Sequence, residues 1–253
     1  MVLPLFTFDA TDMPEVGSVV TVSGSEAKHA ATVRRMRIGE GIQLANGRGL
    51  RVVGTVDSVL PSQLAVRVAE VIVEELPEPQ LTLVQALAKG DRDELAIQAA
   101  TELGVSGVIP WQADRSISRW DANKAIKGQE RWQTIADEAG KQATRSWFPE
   151  VEPLVTTETL GLHVRNRDFG QVLVLDPTAT LGLSDAVDKL DNAEAQTAVT
   201  VLVGPEGGIS TGELEALEAA GAIRVHLGSD ILRTSTAGLA AISVINAAFG
   251  IYR

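Results

Sequence analysis

The chain contains 253 residues, of which 45% are hydrophobic and 22% charged, and its formal net charge is −11. This length is enough for one large domain or two modest domains, each with a hydrophobic core. The negative net charge argues against indiscriminate binding of nucleic acid. Because it has no cysteine and its three histidines lack ligand spacing, disulfides, thiolate metal sites and cysteine nucleophiles are excluded, and we expect no bound metal. No apolar stretch is long enough to span a bilayer and no signal-peptide pattern is present, so we expect a cytoplasmic protein without membrane attachment.

The first part of the chain has the pattern of a small all-β domain. Short β-branched or alternating segments predict strands at 19–22, 42–44, 50–56 and 64–73. Asn46-Gly47 predicts a hairpin turn between the second and third of these. We therefore predict a small β-barrel over residues 1–75, followed by a linker at 76–80, where Pro77 and Pro79 disfavour both a helix and a central strand.

A basic segment lies within this domain, between residues 24 and 38. It contains several cations against the single acid Glu26, and it could contact nucleic-acid phosphates through Lys28, His29, Arg34, Arg35 and Arg37. The alternative is an ordinary solvated helix face.

From residue 81 the pattern changes to alternating strands and helices. Strands are predicted at 81–87, 108–111, 172–175, 197–203 and 223–227, and helices at 91–104, 121–144, 211–220 and 235–249. Asp91 and Glu94 are expected to cap the first of these helices. This alternation indicates an α/β domain with a parallel sheet over residues 81–253, in which ligands bind beyond the carboxyl ends of the strands.

The strand at 197–203 runs into the glycine-rich loop Gly204-Pro205-Glu206-Gly207-Gly208. Glycines allow close approach of a ligand to the main chain, and Ser210 with Glu213 forms a capping box for the next helix. Phosphate loops usually supply cations or bare amides, whereas 204–212 contains Glu206 and no Lys or Arg. We therefore expect a ligand with a cationic group, such as a sulfonium, rather than a polyphosphate.

A second loop follows the strand at 223–227. Gly228 ends that strand, and Ile231 and Leu232 offer apolar contact for a flat ring such as adenine. Arg233 then precedes a long apolar helix whose alanines would suit a dimer interface or an internal core equally.

Together these loops carry a resemblance to a known family. The glycine loop and Leu227-Gly228-x-x-Ile231-Leu232-Arg233-Thr234-x-Thr236-Ala237 resemble the RsmE-type 16S rRNA uridine-N3 methyltransferases of the SPOUT superfamily. Weaker matches extend along the chain, including His29-x-x-x-Val33-Arg34-Arg35-Met36, Asp114-Arg115-Ser116 and Gln142-x-x-Arg145. One departure is Ser235, which stands where the family usually has glutamate.

The resemblance implies a PUA-like RNA-binding domain at the N-terminus and a SPOUT domain with a deep trefoil knot. It also implies S-adenosyl-L-methionine as cofactor, 16S rRNA or the small ribosomal subunit as partner, a homodimer, and an RNA contact at Arg115. The residues that we expect to line the cofactor site are Leu175, Pro177, Gly204, Pro205, Gly207, Gly208, Leu227, Gly228, Ile231, Leu232, Thr236 and Ala237.

The catalytic candidates are two cations and one carboxylate. Methylation at uridine N3 requires loss of an imide proton, which a nearby cation or a general base can assist. Arg145 is the first candidate cation, because its Gln142-x-x-Arg145 context matches the family, and Arg233 is the second. Glu206 could accept the proton or offset the sulfonium charge, or could instead only rigidify its loop through backbone hydrogen bonds.

Three other functions compete with this hypothesis. Gly208-Ile209-Ser210-Thr211-Gly212 matches the nucleophile motif of serine hydrolases, although Ser210 lies too far beyond its strand. An NAD-dependent oxidoreductase is disfavoured because no G-x-G-x-x-G follows a strand. A non-catalytic RNA-binding protein that keeps the pocket is the remaining alternative, and Ser235 is the feature that favours it.

Overall fold

A computed structural model describes residues 2–10, 13–191 and 198–252. The chain divides into two compact units, Met1–Leu76 with Asp137–Phe148, and Pro77–Ala136 with Pro149–Arg253. The sequence predicted a change of domain near residues 76–80 but did not assign 137–148 to the first unit.

The first unit is built on a five-stranded sheet in the order β1-β3-β4-β5-β2. Strands β1 and β3 are parallel and the other neighbours are antiparallel. The elements are β1 Leu5–Thr7, β2 Val19–Ser23, α1 Gly24–Lys28, a π-helical turn His29–Val33, β3 Gly41–Ala45, β4 Leu50–Leu60 and β5 Gln63–Val73.

The predicted hairpin between β3 and β4 is confirmed. The side-chain oxygen of Asn46 accepts hydrogen bonds from the backbone N–H groups of Arg48 at 2.8 Å and Leu50 at 3.0 Å. Gly47 and Gly49 both have positive φ, a conformation that glycine adopts without steric cost. Along β4 and β5 the buried side chains alternate with more exposed ones and form one core, as the period of two predicts.

Residues 137–148 join this unit through polar contacts. Lys141 Nζ donates to Glu26 Oε1 at 2.8 Å and to Glu138 Oε1 at 2.6 Å. Burial opposes the positive charge on Lys141, but these hydrogen bonds outweigh it and raise the pKa of the ammonium group. Trp147 Nε1 also donates to the backbone oxygen of Glu74 at 2.8 Å. Because Glu26 and Glu74 lie far along the chain from Lys141 and Trp147, local patterns could not reveal this packing.

The second unit is a seven-stranded, wholly parallel sheet in the order β12-β10-β11-β6-β7-β8, with β9 also pairing β7. The predicted α/β architecture is therefore confirmed. The elements are β6 Gln80–Ala86, α2 Arg92–Glu102, β7 Gly107–Gln112, α3 Ala122–Gln142, β8 Glu150–Val151, β9 Val155–Thr156, α4 Thr157–Asn166, β10 Gln171–Leu175, α5 Leu183–Asp191, β11 Ala198–Val203, α6 Thr211–Ala220, β12 Ile223–Val225 and α7 Thr234–Ala248.

Helices cover both faces of this sheet. Side chains of α2, α5 and α7 pack in one core with every second residue of β6, β10 and β11. The intervening residues of those strands form another core with α4 and α6. Strands buried on both faces need apolar residues at successive positions, which explains the continuous hydrophobic runs in the sequence.

Some local predictions differ from the structure. Helices α4 and α5 were not predicted, and α7 begins one residue earlier than expected. Asp91 occupies the N-cap position of α2 without a side-chain capping hydrogen bond, so its predicted capping role is wrong. Asp93 bonds there instead, its carboxylate accepting from the backbone N–H groups of Ala88 at 3.1 Å and Glu94 at 2.9 Å. The trefoil knot stays a prediction.

No helix in the described residues is both long and apolar enough to cross a membrane.

Candidate functional site

A cavity of about 610 Å³ in the second unit is lined by the ends of three neighbouring parallel strands. Its walls come from the segments that follow β10, β11 and β12 and from the first turn of α7. The cavity has the size of a small-molecule site, and it lies beyond the carboxyl ends of the strands, where open parallel sheets bind ligands.

The structure brings most of the predicted cofactor residues to this cavity. All of them line it except Gly207 and Thr236. The residues brought together are Leu175, Pro177, Gly204, Pro205, Gly208, Leu227, Gly228, Ile231, Leu232 and Ala237. Their part in binding a cofactor stays a prediction.

The glycine loop requires glycine at particular positions. A Cβ atom on Gly204 would lie 2.6 Å from Ile209 Cγ1, and Gly208 has a φ of +72°. The helix that follows begins with the predicted capping box: Glu213 N donates to Ser210 Oγ at 3.3 Å, and Ser210 N donates to Glu213 Oε2 at 2.9 Å. The loop is thus fixed between a buried strand and a capped helix.

Glu206 holds another part of the chain against this loop. Its Oε1 accepts hydrogen bonds from the backbone N–H of Lys89 at 3.0 Å and from Arg92 Nη1 at 2.9 Å. Burial raises the pKa of Glu206, but the hydrogen bonds outweigh it and hold the pKa below its usual value. These contacts tie Glu206 to residues 89 and 92, and a carboxylate with a lowered pKa is a weak proton acceptor; the catalytic role of Glu206 stays a prediction.

The glycine loop itself contains no Lys or Arg, as the sequence shows, but cations from other segments reach the cavity. Arg92 and Arg115, both distant in sequence from 204–212, line the cavity together with Arg233. The acidic residues that line it are Asp176, Glu206 and Asp230. The lining is therefore balanced in formal charge, and the preference for a cationic ligand does not follow from the loop sequence.

Arg115 supports the glycine loop directly. Its Nη1 donates to the backbone oxygen of Gly207 at 3.2 Å, and a Cβ on Gly207 would lie 3.1 Å from Arg115 Cβ. These contacts place Arg115 in the cavity wall, and its RNA contact stays a prediction.

Asp176 is a cavity residue that the sequence analysis missed. It follows β10 directly, is buried, and accepts hydrogen bonds from Arg224 Nε at 2.8 Å and Thr178 N at 3.0 Å. Burial raises the pKa of Asp176, but the hydrogen bonds lower it by more, so the pKa is below its usual value and the group is a carboxylate at neutral pH. The signal available was an acid at the carboxyl end of a buried strand.

A buried hydroxyl joins three elements around the cavity. Thr234 Oγ1, at the start of α7, donates to the backbone oxygen of Gly204 at 2.9 Å and accepts from Gln85 Nε2 at 2.9 Å. Gln85 lies fully buried on β6. The network therefore sets the position of the glycine loop relative to α7.

We expect Thr234→Val to destabilise the protein by about 1–3 kcal/mol, because at nearly unchanged volume it leaves the partly buried Gly204 carbonyl without its donor and removes an acceptor of the buried Gln85 amide. Thr234→Ser, which keeps the hydroxyl, is the matched control and should lose less. Denaturant unfolding followed by circular dichroism measures both. Equal stability of the valine variant and the parent would contradict this role.

The catalytic candidates are distributed over both units. Glu206 and Arg233 line the cavity, and Arg233 is exposed at the N-cap of α7. Arg145 belongs to the first unit, as does the basic segment. That segment begins with α1 and the π-helical turn and continues past them, and its exposed cations are Lys28, Arg34, Arg35 and Arg37. Their roles stay predictions.

Ser210 does not have the surroundings of a hydrolase nucleophile. Its Oγ donates to Asp114 Oδ2 at 2.9 Å and accepts from Glu213 N. In the described part of the chain no histidine is among its partners, and no cluster of three His, Asp or Glu could hold a metal ion.

Comparison with known proteins identifies the family. The family model described as the RNA methyltransferase domain matches residues 74–246, and the RNA methyltransferase PUA domain model matches residues 22–64. The chain is 39% identical over 248 residues to ribosomal RNA small subunit methyltransferase E of Mycobacterium tuberculosis, covering 97% of this chain and 92% of the relative. The chain belongs to the ribosomal RNA small subunit methyltransferase E family.

Other members of the methyltransferase E family give the same result. The Bacillus subtilis protein is 32% identical to this chain, and the match covers 92% of this chain and 91% of the Bacillus protein. The methyltransferase E of Neisseria gonorrhoeae, solved with bound S-adenosyl methionine, superposes with a TM-score of 0.82 at 26% identity, covering 97% of this chain and 98% of that chain.

A Legionella pneumophila methyltransferase solved with the same cofactor has a TM-score of 0.84 at 28% identity, covering 98% of both chains. At the level of the family, these matches confirm the predictions of an RNA methyltransferase, its S-adenosylmethionine cofactor and its PUA domain.

Proposed function

We propose that this protein transfers a methyl group from S-adenosyl-L-methionine to N3 of a uridine in the 16S rRNA of the small ribosomal subunit. The observation that carries the proposal is the cavity at the ends of β10, β11 and β12, in a methyltransferase E family chain aligned nearly end to end with relatives solved with that cofactor.

The cavity has the groups that such a cofactor requires. Leu227, Ile231 and Leu232 offer apolar contact for the adenine ring, and the last two are exposed in the structure. Asp176 is a fixed carboxylate beside them, suited to a ribose hydroxyl or to the ammonium group of the methionyl part. Main-chain groups at Gly204 and Gly228 complete the wall.

The cofactor supplies the methyl group, and the residues of this chain must prepare the uracil. The N3 imide proton has to leave before or during the transfer, and a cation near O2 or O4 favours the resulting anion. We assign that cation to Arg145, with Arg233 as the second candidate. Glu206 already accepts two hydrogen bonds, so we propose that it fixes the loop rather than removing the proton.

We further propose that the protein acts as a homodimer and that the first unit binds the RNA. The basic segment presents several exposed cations to phosphates: Lys28, Arg34, Arg35 and Arg37. His29 belongs to the same segment and is partly buried.

The decisive experiment is methylation of defined substrates by the purified full chain. Small ribosomal subunits and naked 16S rRNA, both lacking the modification, are incubated with S-adenosyl-L-methionine, and digested nucleosides are analysed by mass spectrometry. We expect 3-methyluridine in at least one substrate. Methylation at another atom would overturn the N3 assignment, and cofactor binding without any transfer would favour the non-catalytic alternative that Ser235 suggests.

A further inference from the structure

A second, smaller cavity lies wholly within the first unit. Its volume is about 210 Å³, below the usual range for whole cofactors and suited to one small planar group. The N-terminal strand, the basic segment and the end of α3 each contribute to its wall: Val2, Leu3, Pro4, Leu5, Phe6, His29, Arg34, Glu138, Lys141, Gln142 and Thr144.

Unusual backbone conformations surround this cavity. His29 begins a single π-helical turn, a rare form that is frequent at functional sites. Arg35, next to Arg34, and Thr144 both have left-handed backbones, with φ of +53° and +54°. Such conformations cost energy for residues other than glycine, and they occur preferentially at ligand sites.

The polar side chains that line this cavity differ in whether they already have a hydrogen-bond partner. Lys141 is held by Glu26 and Glu138, so it forms part of the fixed wall. Among the described residues, the guanidinium group of Arg34 and the side-chain amide of Gln142 have no hydrogen-bond or ion-pair partner. His29 lies edge-to-face against Phe6 at 5.7 Å between ring centres. The guanidinium group of Arg34, the amide of Gln142 and the imidazole ring of His29 therefore line the same cavity.

We propose that this cavity binds one unpaired nucleotide of the RNA substrate. Arg34 binds its phosphate, the Gln142 amide pairs with the edge of its base, and the base lies beside the ring of His29. Proteins that bind single-stranded RNA combine these three contacts. This inference rests on the proposed function, since it assumes an RNA substrate. It adds a group that binds a base to a surface that otherwise binds RNA only through charge.

Gln142 gives the sharpest test, because removing it changes no charge. The probe is a short fluorescein-labelled single-stranded RNA, bound by the full chain without S-adenosyl-L-methionine and followed by fluorescence anisotropy at several salt concentrations. The variants are Gln142→Ala and Arg34→Ala. The matched control is Gln63→Ala, an exposed glutamine of the same unit that lies outside the cavity lining.

We expect Gln142→Ala to weaken binding about tenfold at every salt concentration, because a base-edge contact is lost. Arg34→Ala should weaken binding and also reduce its salt dependence, because a phosphate contact is lost. Gln63→Ala should bind as the parent does, and all variants should keep the parent melting temperature. Parental affinity of Gln142→Ala, or an equal loss in Gln63→Ala, would overturn the proposal.

This result can be separated from the proposed function. If the parent binds RNA in a Gln142-dependent way but forms no 3-methyluridine, the nucleotide site stands and the methylation proposal fails. If the parent forms 3-methyluridine and Gln142→Ala binds RNA normally, the nucleotide site fails alone.

Discussion

Replacing Ala237 with phenylalanine is expected to lower the affinity for S-adenosyl-L-methionine at least about 100-fold, a loss of roughly 3 kcal/mol. Ala237 is a half-buried residue of α7 that lines the large cavity. A benzyl group there would occupy space that we assign to the cofactor. The helix has little room to retreat, because a Cβ on the next residue, Gly238, would already lie 3.0 Å from Leu83 Cδ1. Isothermal titration calorimetry measures the change.

The matched control is Ala247→Phe, which adds the same group to an exposed position of the same helix. This control should bind the cofactor with parental affinity, and both variants should unfold near the parental temperature. Parental affinity in Ala237→Phe would contradict the assignment of the cofactor to this cavity.

Replacing Arg145 with alanine is expected to lower kcat about 10²–10³-fold while cofactor affinity stays unchanged. Burial of the guanidinium group lowers the pKa of Arg145 to about 10, so the side chain remains cationic at neutral pH with a poorly solvated charge. Charges interact more strongly with a developing anion where water is scarce. Single-turnover methylation measures the chemical step, and calorimetry measures cofactor binding.

Arg145→Lys is the control that keeps a positive charge while changing its geometry. We expect it to recover part of the lost rate, since electrostatic stabilisation requires the charge, and full activity depends on the planar donor group. Normal turnover in Arg145→Ala would remove this residue from the mechanism and leave Arg233 as the remaining candidate cation.

The elements that sequence analysis predicted correctly are those determined by neighbouring residues. Asn46 forms its turn through bonds to the backbone two and four residues ahead. Ser210 and Glu213 cap a helix across three positions. The strands of the parallel sheet were recognised because burial on both faces requires continuous apolar runs. Helices α4 and α5 and the short strands β8 and β9 were missed in the segments between the predicted strands.

The loops of the candidate site were predicted from the sequence, but the charge balance of the cavity was not. Strand ends of a parallel sheet lie on one edge, so loops after β10, β11 and β12 could be expected to meet. The neutral charge balance of the cavity depends on Arg92 and Arg115, which lie far along the chain from residues 204–212 and reach the cavity only in the folded structure.

By itself, the sequence determined the α/β class, the turns and caps, and the loops that form the cavity, because each depends on local backbone preference or on the period of apolar residues. Only the tertiary structure decided which charged side chains form ion pairs and which side chains remain available to bind a ligand. Glu206 meets Arg92, Asp176 meets Arg224, and residues 137–148 join the first unit. These contacts join residues distant along the chain, and the free energy of each depends on burial that only packing creates.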